Sequence, residues 1–556
     1  MAKIVKFPLK LADGTNARSL EELREHGDVA SVLGHYREGT LVRWLKAFGQ
    51  NELAEQVVEH RNAQVDSSRA NLQGIFSLLG VALDEAAFNE YCEKQLSDKF
   101  IFSDAVDGDF KSGGQGGAIE EKLSLCLSRE AFLGCHELTD IVIPAGVISI
   151  GEEAFKGCTE LTSVTFEPES QLEHIGEWAF ADCSKLASIE IPASVTSIDR
   201  GVFEGCSELT RVIFGSESQL ESIGIFAFKN CSKLTSIEIP ASVTSIDDNA
   251  FEGCSELTRV TFEAKSQLES ISDSAFKDCS KLTSIEIPVG VNICRGVFEG
   301  CSELTSVTFE PESELESIDY FVDDYAFKDC CKLTSIEFPA GVTSIGDNVF
   351  EGCSELTRVT FEPESQLECI GEWAFADCSK LTSIKIPANV TSIDKWTFSG
   401  CSELTRVTFE PESQLESIGR SAFSNCSKLT SIKIPANVTT IDTWAFSGCS
   451  ELTSVTFEPE SQLESIGDAA FHDCNKISSI EIPASVRNIG CVAFPVLGEL
   501  TSVKFEDTIG WYVTNDESNA KNRTGGDLVD LSSTNWEANA ELIKNTYVSY
   551  YWYKVD

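Results

Sequence analysis

The chain has 556 residues, with 43 basic and 89 acidic side chains and a formal charge of −46. A polyanion of that size repels phosphate, which excludes nucleic acid or an anionic membrane as a partner for the whole surface. With 42% hydrophobic residues and 34 Phe it is not a disordered chain, its single Met rules out a Met-rich adaptable surface, and its 21 Cys require an explanation.

Charges interrupt the first ten residues every few positions, so they hold no apolar core of a secretory signal. No run of about 18 apolar residues occurs, and no membrane insertion is expected. Residues 1–100 predict a small helical module. A turn at 11–15 follows an initial strand, and Ser19 with Glu22 forms a capping box that opens a helix. Apolar periodicity predicts further short helices at 29–36, 41–48 and 53–58, with two more near 69–82 and 84–95. The run from Thr15 through Trp44 resembles a short module found ahead of varied C-terminal parts in bacterial proteins, which implies docking or self-association. A Gly-rich linker, residues 101–118, follows.

From residue 119 to 507 the chain repeats itself. Phe preceded by Ala, Val or Thr recurs sixteen times, from Phe132 to Phe494, at spacings that alternate between 23 and 25. One stretch, 291–326, departs from this with spacings of 22 and 29 and an insert rich in aromatics and Asp. The unit is therefore a pair of coils. In each, Leu-x-x-Ile-x-Ile alternates apolar and polar residues, the pattern of a short strand with one buried face. Only stacked copies bury that face. The fold expected is a solenoid of about sixteen coils with a parallel sheet along one side. Residues equivalent to Val243 and Ile246 line the return side, and Ala250 and Phe251 lie inside.

Cys231, Leu234, Ile237, Ile239, Pro240, Val243, Ile246, Ala250 and Phe251 match the signature Cys-x-x-Leu-x-x-Ile-x-Ile-Pro-x-x-Val-x-x-Ile-x-x-x-Ala-Phe. The pattern resembles the BspA-like, treponemal-type leucine-rich repeats. The resemblance implies a bacterial leucine-rich-repeat solenoid, and for many members a role as surface adhesin or interaction protein. Residues 508–556 leave the repeat and end in an aromatic run, Tyr547 to Tyr553. They read as a C-terminal cap over the open end, with a carbohydrate-stacking platform as the alternative.

Fifteen cysteines sit four residues after the Ala position of the repeat, from Cys135 to Cys474. Their spacing gives no tetrahedral metal set, and parallel stacked side chains suit disulfides poorly. A ladder of reduced, buried thiols is expected. Free thiols and the missing signal favour the cytoplasm, whereas the family resemblance favours the cell surface.

Residues 1–117 carry 13 basic and 18 acidic side chains, so most of the excess negative charge lies in the repeat. Much of it sits in one loop, Glu-Pro-Glu-Ser-Gln-Leu-Glu and its variants, in every second coil. This reads as a solvated ridge rather than a calcium loop. On the strand face, Glu at the fifth position and Arg at the third are expected to pair across strands. One stretch breaks the pattern, because Lys385 and Lys433 replace Glu beside Arg358 and Arg406, giving a candidate basic patch. Before the Ala-Phe pair lies a freely varied position, and Trp373, Trp396 and Trp444 occupy it as candidate binding anchors.

Six His form no recognisable catalytic or metal motif, and no phosphate loop is present. The reading is a non-enzymatic protein-binding scaffold, without cofactor or metal, whose partner the sequence does not name. The alternative is a bacterial surface adhesin that binds host or bacterial matrix proteins.

Overall fold

The computed structural model describes residues 124–310, 325–494 and 499–555, the short strands Phe100–Ser103 and Ser317–Ile318, and short stretches between residues 9 and 57. The helices expected at 69–82 and 84–95, most of those at 29–36 and 41–48, the Gly-rich run and the insert at 319–324 lie outside the described residues. The chain divides into two compact units, residues 1–195 with 205–209, and residues 196–204 with 210–556.

In the first unit, strands Leu9–Lys10 and Asn16–Ala17 pair antiparallel and helix Leu20–His26 follows, while residues 12–15 of the expected turn and Ser19 lie outside the described residues. Leu11, Ala17 and Leu23 are buried. Phe100–Ser103 is a strand antiparallel to Ser124–Leu127, which itself runs parallel to Val147–Ile150. Phe-Ile-Phe has strand propensity and extends the first coil's sheet. The coils then stack, with Asp140–Ile143 in register with Ser163–Phe166.

The second unit shows the repeat most fully. Strand Ser236–Ile239 is followed by a turn, a two-residue strand Ser245–Ile246, a tight corner, the Phe251 turn and the Cys254–Leu257 return. Within a 23-residue step the main strands pair fully, so that Ile237 faces Val260 and Ile239 faces Phe262. Across the 25-residue step only the first residues pair, as in Arg259 with Ser284, because the acidic loop adds two residues to that return. The return side is a second parallel ladder, Ser222–Ile223 on Ser245–Ile246 on Ser270–Ile271, so the solenoid has two ladders where the sequence suggested one.

The core repeats with them. From Phe203 to Phe494 successive rings stack with centroids 5.1–5.7 Å apart and planes within 13°. Burying each such ring contributes about 1.5–3 kcal/mol.

Stacking explains why the unit is a pair of coils. Asp278 and Gly300 occupy equivalent sites in consecutive coils, and both are left-handed, with φ of 58° and 74°. A Cβ on Gly300 would lie 2.5 Å from the Asp278 Oδ1. A side chain at one coil thus requires glycine at the next, and Asp329 with Gly352 repeats the arrangement. Charge alternates for a related reason. Lys281 pairs with Glu256, Lys332 with Glu303, Lys380 with Glu355 and Lys428 with Glu403, at 2.5–2.6 Å across neighbouring coils. Such exposed pairs add at most about 1 kcal/mol each, but like charges stacked there would repel.

The C-terminal residues close the end. Tyr551–Lys554 pairs antiparallel with Asn488–Ile489, and Trp511–Thr514 adds beside it. Buried Asn539 donates to the Val503 carbonyl at 3.2 Å, and Lys544 donates to that of Leu500 at 2.8 Å. Trp552 and Tyr553 are buried, so these two rings of the terminal aromatic run are cap core rather than a stacking platform.

Gly300→Ala is expected to lower stability by about 1–2 kcal/mol from backbone strain alone, with the Asp278 contact added. Urea denaturation should show a lowered midpoint that Asp278→Gly partly restores in the same chain. An unchanged midpoint in Gly300→Ala contradicts the argument.

Candidate functional site

The strand face brings the four predicted cations onto neighbouring strands but does not leave them equivalent. Lys385 is paired with Glu410 at 2.7 Å and Lys433 with Glu458 at 3.0 Å. Each of these glutamates opens an acidic loop, and Glu410 also accepts the Ala388 amide at 3.3 Å. Arg358 and Arg406 are exposed, and among the described residues neither has an ion pair. The expected Arg–Glu pairing across strands is absent among the described residues. The register explains this, since Arg259 faces Ser236 and Glu238 faces Thr261. The acidic loops are more than a solvated ridge. In Glu167, Glu263 and Glu362 the carboxylate accepts a turn amide of the preceding coil, at 3.0–3.1 Å.

The three tryptophans lie elsewhere on the coil, at the corner that follows each two-residue strand. The corner amide donates to the next coil, as in Trp373 to the Lys395 carbonyl at 3.0 Å and Trp396 to that of Arg420 at 2.9 Å. That direction requires a left-handed residue, and φ is 59° at Trp373, 55° at Trp396 and 55° at Trp444. Other coils meet the requirement with Gly201, Asn249, Gly296 or Asn348, residues that adopt it readily. A bulky ring in this conformation is strained, and such strain persists where the surroundings hold it.

Trp373 and Trp396 stack with centroids 4.8 Å apart and planes 14° from parallel. They are half-buried, so for these two the ring packs over its neighbour and presents an edge. Arg420, which the sequence reading did not single out, fills the next position. Its guanidinium lies 5.8 Å from the Trp396 ring and 4.6 Å from that of Trp444. Its Nε is buried and makes no hydrogen bond. Ser421, the corner residue of that coil, is small and buried, which leaves the slot to the arginine. Trp444 is 41% exposed. The result is a continuous row of Trp373, Trp396, Arg420 and Trp444 over four coils. The sequence signal for Arg420 was a small corner residue between two coils that carry Trp.

The cysteines form the expected ladder. In fourteen coils, from Cys158 to Cys474, the thiol donates to the Phe carbonyl of the preceding coil at 3.1–3.3 Å. Burial pushes ladder thiols such as Cys183, Cys254 and Cys378 far above the ordinary range, so these are protonated donors and not nucleophiles. Among the described residues no cysteine is in a disulfide, and no group of three or more His, Cys, Asp or Glu is placed to hold a metal ion. No helix among them is long and apolar enough to cross a membrane.

Comparison with known proteins agrees with this architecture. Residues 126–232, 215–322, 320–453 and 410–516 match a family described as the BspA type leucine rich repeat region, in six copies. A leucine-rich repeat protein of known structure from Bacteroides ovatus is 31% identical. The match covers 68% of this chain and 95% of that one, with a TM-score of 0.54. A leucine rich cell surface protein from Faecalibacterium prausnitzii is 24% identical over 71% of this chain and 86% of its own, with a TM-score of 0.32. The pneumococcal vaccine antigen PcpA is 22% identical over 69% and 87%, with a TM-score of 0.35. Among curated proteins none matches the sequence.

The thiol ladder sets a pH dependence. Folding raises the thiol pKa, so its stabilisation is complete below the unfolded value of about 8.5 and is lost as pH rises beyond it. Each ladder thiol exposed on unfolding should then remove about 1.4 kcal/mol per pH unit. Urea midpoints are expected to hold between pH 6 and 8 and to fall above pH 9. Native iodoacetamide labelling should reach only half-buried thiols such as Cys126, Cys294, Cys331, Cys369 and Cys491. Labelling of Cys279 or Cys378 in the folded chain contradicts this.

Proposed function

The chain belongs to the BspA-type leucine-rich repeat family, and on that premise we propose that it is a non-enzymatic scaffold that binds a protein partner through the row of Trp373, Trp396, Arg420 and Trp444. The repeat supplies a rigid frame in which nearly every inward position is copied from coil to coil. The observation that carries the reading is the conformational one, that three tryptophans are held left-handed at positions where the adjacent coils use Asn348, Ser421 and Ala469. Core packing does not demand a ring there, because Asn348 and Ala469 serve the coils on either side. Exposed tryptophan and arginine are the side chains that dominate protein interfaces, since they bury large areas at small entropic cost.

The strand face is the second surface of such a scaffold, where Arg358 and Arg406 are exposed and have no ion pair among the described residues. Lys385 and Lys433 already hold glutamates, so they contribute less to an acidic partner than their number suggests.

The test replaces Trp373, Trp396 and Trp444 together by Asn, the residue that the repeat itself accepts at this corner. The variant is expected to keep its circular dichroism and melting behaviour. Immobilised full chain and variant are each exposed to a bacterial lysate, and bound proteins are quantified by mass spectrometry. At least one protein enriched on the parent chain should fall about tenfold or more on the variant. Lys385→Glu with Lys433→Glu should leave that protein largely bound. An enriched set that is the same on the parent and on the triple variant overturns the assignment of this row.

A further inference from the structure

Every corner aromatic among the described residues lies in a stack that includes a cation, and the molecule builds this repeatedly. Lys156 lies 5.4 Å from the Trp178 ring centroid. Arg200 and Lys229 lie 5.1 Å and 4.8 Å from Phe226, and Lys328 lies 5.0 Å from Tyr325. Trp373 stacks on Trp396, and Arg420 then covers Trp396 and one face of Trp444. The other face of Trp444 has no cation or aromatic ring against it among the described residues.

The backbone shows what does occupy the next place. The Trp396 amide donates to the carbonyl of Arg420 at 2.9 Å, and the Trp444 amide donates to the carbonyl of Asp468 at 2.9 Å. Asp468 therefore stands to Trp444 as Arg420 stands to Trp396. Where the earlier coil places the Arg420 guanidinium, this coil places a carboxylate, and the corner residue beside it, Ala469, is small and buried. A carboxylate and the negative face of a ring do not attract each other, but both attract a cation between them.

Asp468 has the charge to spare. Its Oδ1 accepts the Cys491 amide at 2.8 Å, and no ion pair with it is formed among the described residues. Burial pushes its carboxyl above the usual range, and neighbouring Glu517 and Asp442 add to the push. Lys521, a basic group that acts on it, is itself paired with Glu517 at 2.6 Å.

We infer that the open face of Trp444, with Asp468 beside it, is a seat for an arginine side chain supplied by a basic partner protein. This rests on the protein-binding reading above and names the chemistry of the partner. Arginine matches better than lysine because its planar guanidinium stacks on indole while its fork reaches a carboxylate. A second copy of this chain is disfavoured, since two bodies of −46 repel, whereas the same charge steers a basic protein in.

The probe is a short peptide with three arginines and blocked ends, titrated into the full chain at 0.15 M salt with tryptophan fluorescence and calorimetry as readouts. The same peptide with citrulline in place of arginine keeps the shape and removes the charge. A lysine version separates guanidinium recognition from bulk charge. The arginine peptide is expected to bind about tenfold more tightly than either comparator. Trp444→Asn and Asp468→Asn should each weaken it about fivefold or more, while Trp178→Asn leaves it unchanged. The inference is overturned if Trp444→Asn binds the arginine peptide as well as the parent, or if the lysine peptide binds equally. Either result leaves only general attraction to an acidic surface. If lysate capture depends on the three tryptophans while the arginine peptide ignores Trp444, the arginine seat falls and the scaffold reading stands. If the peptide needs Trp444 while capture ignores the row, the scaffold assignment falls instead.

Discussion

Every coil of this solenoid must tolerate its neighbour's identical part about 5 Å away, and that constraint shapes the rest of the molecule. Phe rings satisfy it directly, since flat apolar faces stack at this distance. Thiols satisfy it by donating upstream, so each buried Sγ finds a carbonyl and none is left unpaired in the ladder. Groups that cannot sit over their own copy must alternate. At the turn after the Phe, a Cβ would run into the carboxylate of the preceding coil, so Asp278 is followed by Gly300. Two glutamates repel, so Glu256 is followed by Lys281. The two-coil period is the shortest sequence that meets both demands.

The same constraint redistributes the net charge. A value of −46 suggests a uniform anion, but most lysines are consumed within the ladder, coil against coil. The loop glutamates do structural work as acceptors for turn amides of the preceding coil. Pairing still leaves a large excess of carboxylates, and among the described residues exposed strand-face cations such as Arg358 and Arg406 have no ion pair. That excess gives the surface a long-range field that attracts cations and repels anions.

Much of this was legible in the sequence because the period is so regular. Phe132 to Phe494 and Cys135 to Cys474 recur at the same offsets, and residues that recur in a solenoid stack. The cap was legible from loss of the repeat. The pairings were not, because they depend on register. Whether Arg259 meets Glu238 or Ser236 is decided by a two-residue offset that spacing alone does not reveal. Lys385 and Glu410 are 25 residues apart in sequence, and only the coil geometry brings them to 2.7 Å. Arg420 was hidden for a different reason. Its neighbours Gly419 and Ser421 are ordinary repeat residues, and its role exists only because the coils before and after carry tryptophan.

The corner also explains how such a scaffold varies its surface without losing its fold. A strand residue facing inward is held by neighbours on both sides, so a change there disturbs three coils at once. The corner residue is held by its backbone, through an amide that donates to the next coil whatever the side chain. Gly, Asn, Ser, Ala, Tyr, Phe and Trp all occur there with φ between 51° and 63° in the described coils. The left-handed strain of a large residue is of order 1–2 kcal/mol, and stacking one ring or guanidinium against another returns about 0.5–1.5 kcal/mol. These nearly cancel, so aromatic corners neither destabilise the solenoid nor earn their place by stabilising it. Rings that are close to neutral for folding are free to be placed for recognition, and here they are placed side by side, with an arginine between two of them.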